Sequence, residues 1–141
     1  MKSRYWPYLI YVTAFLAFNY HPDDSPKITL LTANTYEIQK QIDYALKHSL
    51  SPNTRKFGNL GETDCANFVS QTLHARGWHM TSEWFNRQDS YSRAWISSTA
   101  LSKYIEKHKL AQALSWKQRD QVTIGDIVQF DWDNSGDRDH T

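Results

Sequence analysis

Read for the spacing of apolar positions, the chain divides into three stretches. From Trp6 to Phe18 apolar residues run almost without a charge. Between about Asn34 and Lys109 they recur at helical intervals, and after Ile124 they change to a short strand pattern. The first helical pattern puts Ile38, Ile42, Ala45, Leu46 and Ser49 on one face after a cap at Asn34 or Thr35, and Ser51, Pro52 and Asn53 stop it. The second lies in Gly61 to Gly77, GETDCANFVSQTLHARG, where Phe68, Val69, the methyl of Thr72 and Leu73 share a face. Thr63 or Asp64 can cap its start, and Gly77 can close its end in a left-handed conformation. A third pattern covers Ser98 to Lys109, with Leu101, Tyr104, Ile105 and His108 together. Gly125 and Asp126 then form a turn, Ile127 to Trp132 read as a strand, and the polar DNSGDRD is a hairpin turn leading to His140. The sequence stops at Thr141, so the sheet expected here would be cut short on its C-terminal side.

The N-terminal stretch reads differently. Lys2 and Arg4 precede the apolar run, the order of charges and apolar residues found in an export signal. At about 13 residues the run is shorter than the roughly 20 a spanning helix needs, although Tyr20 and the aromatic flank suit an interfacial anchor. Residues 1–20 are therefore expected to be an export signal or short membrane anchor, giving a secreted or envelope-tethered protein. HPDDSPK, residues 21–27, has linker chemistry, and the domain is expected over residues 28–141.

Composition narrows this picture. A chain of 141 residues supports one modest core. With 40% hydrophobic, 22% charged and 14% aromatic residues it is a globular composition, and a formal charge of +1 gives no field that would recruit nucleic acid. The chain has one cysteine, Cys65. In an exported protein it cannot form an internal disulfide, which leaves either a small buried hydrophobe or a working thiol. Its position favours the second, because the first turn of a helix offers unpaired backbone N–H groups and the positive end of the helix dipole, both of which favour a thiolate.

The string TDCANFVSQTLHARGWHM at Thr63 to Met80, preceded by IDYALKHSLSPN and followed by GDIVQFDW and the pair Asp139–His140, resembles the family known as the Putative amidase domain, related to NlpC-type papain-like cysteine peptidases. The match covers most of residues 35 to 141, with several linked motifs in family order. The resemblance implies an α+β papain-like fold whose nucleophile helix packs on a small antiparallel sheet, with Cys65 as nucleophile and His140 as base. It implies no cofactor. A polar residue on a following strand would orient the histidine, and none remains in this sequence. The chemistry asks for these residue types. An imidazole takes the thiol proton and returns it to the leaving amine, while the backbone N–H of Cys65 is placed to hold the oxyanion. The expected substrate is an amide or peptide, with the peptide stem of peptidoglycan as the analogy from NlpC-type relatives.

Other residues carry plainer readings beside functional ones. Asn59 stands six positions before Cys65, where papain-like proteases keep an amide donor, yet beside Gly58 it reads better as a turn residue. Asp64 reads as a helix cap, and Asn67 and Gln71 as residues that order the helix surroundings. His74 and His79 with Cys65 are too few for a structural zinc. Trp78, Trp84, Trp95 and Trp116 suit packing better than a cleft. The rival classes are a catalytically inactive module binding cell-wall peptides and a calcium-binding module. For the latter, Asp131, Asp133, Ser135, Gly136, Asp137 and Asp139 resemble the opening of a calcium loop, although a hairpin tip needs no ion.

Overall fold

The structure, a computed structural model, describes residues 8–12, 26–61, 64–87 and 90–141, with side chains described from residue 35 onward. The helices among the described residues are α1 (Pro26–His48), α2 (Thr54–Phe57), α3 (Cys65–Arg76), α4 (Arg93–Ile96) and α5 (Ser98–Lys107). The strands are β1 (Tyr8–Val12), β2 (Gln112–Leu114) and β3 (Ile127–Phe130), and a 3₁₀ turn covers Trp116–Gln121. They make one antiparallel sheet in the order β2-β1-β3, with Ile10 opposite both Leu114 and Val128. This mixture is α+β.

The helices expected from periodicity form, because their apolar residues meet a shared core. Leu73 of α3 and Leu101 and Ile105 of α5 are fully buried with Trp84 and Trp95, and Phe57, Tyr104 and Ile127 close around them. Indole and phenol rings stack through this core: Trp84 lies 4.6 Å from Trp95 and 6.0 Å from Tyr104, ring centre to ring centre. Of the four tryptophans weighed above, Trp84 and Trp95 are core residues and Trp78 packs against them, while Trp116 is exposed.

Helix α1 packs along α3 and begins at Pro26, well ahead of the cap expected at Asn34 or Thr35. A proline at the first helical position is favourable, since its missing N–H would have no helical partner there. Pro26 and Lys27, placed in the linker by composition, are thus helical. The buried face of α1 also differs from the expected one. Gln41 is buried and Leu46 is 72% exposed, because α1 meets α3 at a polar contact where Arg76 Nη1 donates to Gln41 Oε1 at 3.1 Å. Of the expected export segment, Tyr8–Val12 is the central strand of the sheet, and residues 1–7 and 13–20 lie outside the described residues.

Strand β3 buries Ile127 and Gln129 on one face and leaves Val128 and Phe130 half-buried on the other. The expected return of the chain occurs as a bridge between Phe130 and His140. Both Asp139 N, at 2.8 Å, and His140 N, at 3.3 Å, donate to Phe130 O, so two residues stand opposite one in the manner of a bulge.

Candidate active site

Helix α3 opens at Cys65, with Asp64 at the preceding position. Asp64 is not the backbone cap that sequence suggests. Its Oδ1 accepts from Leu60 N at 2.9 Å and from Asn67 Nδ2 at 2.8 Å, which pins the incoming loop to the first turn. Asn67 is fully buried, and its Oδ1 accepts from Trp95 Nε1 at 2.7 Å and Asn86 Nδ2 at 3.5 Å. Ser70 accepts from Trp84 Nε1 at 3.1 Å and donates to Trp95 O at 3.0 Å. Gln71 Oε1 accepts from Tyr44 OH at 2.7 Å, and burial pushes the Tyr44 phenol above its ordinary value while its bond to Asn53 opposes that. The polar residues of D-C-x-N-F-V-S-Q therefore tie α3 to its neighbours, as buried polar groups must be tied.

Cys65 is the exception in that string. It is half-buried, it is a free thiol, and the contact of its Sγ is to the hydroxyl of Ser98 at 3.6 Å. Ser98 is the first residue of α5 and is buried. Its carbonyl oxygen accepts from Gln129 Nε2 at 2.9 Å, and the same nitrogen donates to Thr141 Oγ1 at 3.1 Å. Gln129 is fully buried, and its Oε1 is without a hydrogen-bond partner among the described residues. Cys65, Ser98, Gln129 and Thr141 thus form a continuous line from the start of α3, across the start of α5, to the segment bridged to β3 at His140.

His140 lies at the far end of that line and faces the other way. Residues directly opposite each other across an antiparallel pair share a face, so His140 goes with Phe130, and their ring centres are 6.3 Å apart. Thr141, its neighbour, takes the inner face with Gln129. Among the described residues Cys65 and His140 share no hydrogen bond.

The remaining candidates resolve locally. Asn59 Oδ1 accepts from Gly61 N at 2.8 Å, a turn bond within its own loop. His74 Nδ1 pairs with Trp78 O at 2.9 Å, and its ring lies beside Phe57 and Trp95, which commits it to the core. In the hairpin, carboxylate oxygens of Asp131, Asp133 and Asp139 come within 4.8 Å of one another. They are engaged by their own loop: Asp131 accepts from Ser135 N and Gly136 N at 3.1 and 3.0 Å and faces Arg138 at 3.6 Å, Asp133 accepts from Ser135 N at 3.0 Å, and Asp139 accepts from Trp132 N at 2.5 Å. The hydroxyl and amide of Ser135 hold the Asp133 carboxyl below its ordinary range. Residue-by-residue reading of the sequence missed Ser98, because nothing in its neighbourhood distinguishes it from a helix-start serine. Gln129 left a fainter signal, a polar residue on the same strand face as Ile127.

These observations define an α+β domain with one thiol at the start of α3, set against the Ser98 hydroxyl. The chain belongs to the family described as Putative amidase domain, whose model matches residues 35–141, and membership in it suggests a hydrolase. Two Bacillus subtilis proteins, both described as uncharacterized, are similar: YhbB is 28% identical over 115 residues and YjcM 28% identical over 125. Those matches take in 75% and 84% of this chain but 36% and 29% of the relatives, so the chain spans about a third of their length. No solved structure matches it significantly.

Proposed function

We propose that the protein is a cysteine-dependent amide or peptide hydrolase of the papain-like, NlpC-related kind, with Cys65 as nucleophile and His140 as base. The observation that carries this reading is the contrast within one motif. Asp64, Asn67, Ser70 and Gln71 all make bonds that hold the fold, whereas Cys65 stands at the helix start against a hydroxyl, in a member of an amidase family. In the reaction the imidazole takes the proton from Sγ, and sulfur bonds to the substrate carbonyl carbon. The C–N bond then breaks as the proton passes to the leaving amine. Water adds to the thioester, releasing the acid and restoring the thiol. The backbone N–H of Cys65 would stabilise the oxyanion.

Pairing the two side chains requires residue 140 to change face. A slip of one residue at a strand pair exchanges the faces of consecutive side chains, and the shared acceptor Phe130 O lies at the bulge where such a slip would begin. Peptide stems of peptidoglycan are the proposed substrate, on the analogy with NlpC-type relatives, and export through the N-terminal segment belongs to the same reading.

The test is hydrolysis of amides, peptides and peptidoglycan fragments by the folded protein. Cys65→Ala and His140→Ala should each lower turnover by at least about a thousandfold, with similar losses because the two act as a unit. Full activity in Cys65→Ala would sink the cysteine mechanism. Binding of cell-wall peptides without cleavage by the unaltered protein would favour the inactive module instead.

A further inference from the structure

We infer that Ser98 is a positioning residue for the Cys65 sulfur, and that Gln129 holds it in place. The inference rests on the cysteine-hydrolase reading for its meaning and on separate geometry for its support. Ser98 Oγ is 3.6 Å from Cys65 Sγ, within the range of a hydrogen bond to sulfur, and both atoms sit at helix starts that packing holds fixed. The Ser98 hydroxyl is not needed to start α5, because the capping bond there comes from Ser97, whose side chain accepts from Ala100 N at 3.3 Å. Nor is it needed to hold the strand, since Gln129 bonds to the Ser98 backbone carbonyl. Among the described residues that leaves the sulfur as the partner of the Ser98 hydroxyl.

Gln129 supplies the second observation. A fully buried glutamine with an unpartnered carbonyl oxygen is unfavourable as packing, for an unsatisfied buried acceptor costs about 1–3 kcal/mol. Its amide nitrogen, however, spans two elements, fixing Ser98 O on one side and Thr141 Oγ1 on the other. The amide thereby couples the seat of the sulfur to the segment that carries His140. When Cys65 gives up its proton, Ser98 Oγ–H donates to the thiolate and keeps it at the mouth of the helix.

The test reads the thiol and needs no substrate. The rate of Cys65 alkylation by iodoacetamide is measured across pH on folded protein, with melting temperature as the check on folding. Ser98→Ala should slow alkylation at neutral pH by about three- to tenfold: a hydrogen bond to a charged group is worth roughly tenfold in thiolate population, and lower nucleophilicity offsets up to half of that on a logarithmic scale. Ser98→Thr, which keeps the hydroxyl, should restore most of the rate, and Ser98→Gly provides a second deletion should the alanine variant fold poorly. Gln129→Met keeps the volume and removes the donor, and should slow alkylation less than Ser98→Ala. Unchanged alkylation profiles in folded Ser98→Ala or Ser98→Gly would overturn the inference, as would a threonine variant no better than alanine. Such a result leaves the hydrolase reading intact, which stands or falls on turnover by Cys65→Ala.

Discussion

Asn67 does more for this fold than its place in a catalytic-looking motif indicates. Fully buried, it receives the indole N–H of Trp95 and binds Asp64 through its own amide. Replacing it with alanine removes an acceptor that Trp95 cannot recover from water, and leaves a small void. Asn67→Ala should therefore destabilise the domain by about 2–4 kcal/mol, read as a lower midpoint in urea at unchanged slope. Cys65→Ala should have much less effect on the same curve, because among the described residues the hydrogen-bond contact of its sulfur is to the Ser98 hydroxyl. A thiol whose removal hardly alters stability, set among polar neighbours whose removal does, is the thermodynamic counterpart of the contrast on which the functional proposal rests.

At the scale of elements, two glycines separate backbone strain from steric fit. Gly77 ends α3 at φ +122°, and a Cβ there would meet nothing within 4 Å. Gly125, before β3, has φ +97°, and a Cβ there would lie 3.0 Å from Ile38 Cγ2 and 3.5 Å from Arg76 Nη1. Arg76 is itself buried, donating to Gln41 and to Gly125 O, and burial lowers its pKa while Glu37 and Asp126 oppose that. Gly77→Ala should cost about 1 kcal/mol from conformation alone, and Gly125→Ala about 2–3 kcal/mol because α1 must also move. Thermal melts would rank the two variants, and equal losses would mean that α1 gives way freely at Ile38. The hairpin Asp131 to His140 carries a different expectation. Its carboxylates already accept backbone donors, so calcium titration should show no binding tighter than about a millimolar and no rise in melting temperature.

For the molecule as a whole, acid stability has a predictable sign. The ammonium of Lys107 holds the Glu83 carboxyl below its ordinary range, and Ser135 does the same for Asp133. A carboxyl whose folded pKa is depressed stabilises the fold above its unfolded value, near 4, and that contribution is lost as pH falls through the folded value. The melting temperature should therefore decline more steeply below about pH 5 in the unaltered protein than in a Glu83→Gln, Asp133→Asn variant. Both acids are exposed, so the difference should be small and should shrink in salt. The sheet gives a second prediction. With β1 between β2 and β3, the amide of Ile10 should exchange slowly, and Ile10→Pro should lower the melting temperature. Rapid exchange at Ile10 would count against Tyr8–Val12 as the central strand and towards its use as an export signal.

Much of this was legible in the residues themselves. The start of α3 near Cys65, the apolar face of α5, the Ile127 strand and the turn back to His140 follow from local rules of period and turn chemistry, each satisfied within a few positions of chain, whereas α3 buries Asn67, Ser70 and Gln71 beside Thr72 and Leu73 and leaves the expected Phe68 and Val69 half-buried. The place of Cys65 in the first turn of a helix is a local property of the same kind. What local rules cannot supply is which group approaches the sulfur. Ser98 stands 33 positions from Cys65 and Gln129 31 positions beyond Ser98, and only the meeting of the α5 start with α3 and with β3 brings them into line. The side on which His140 falls is likewise a matter of register. One residue of shift exchanges it with Thr141, and that choice is made by the hydrogen bonds of Phe130 and Gln129 across the strand pair and by nothing in the dipeptide Asp139–His140.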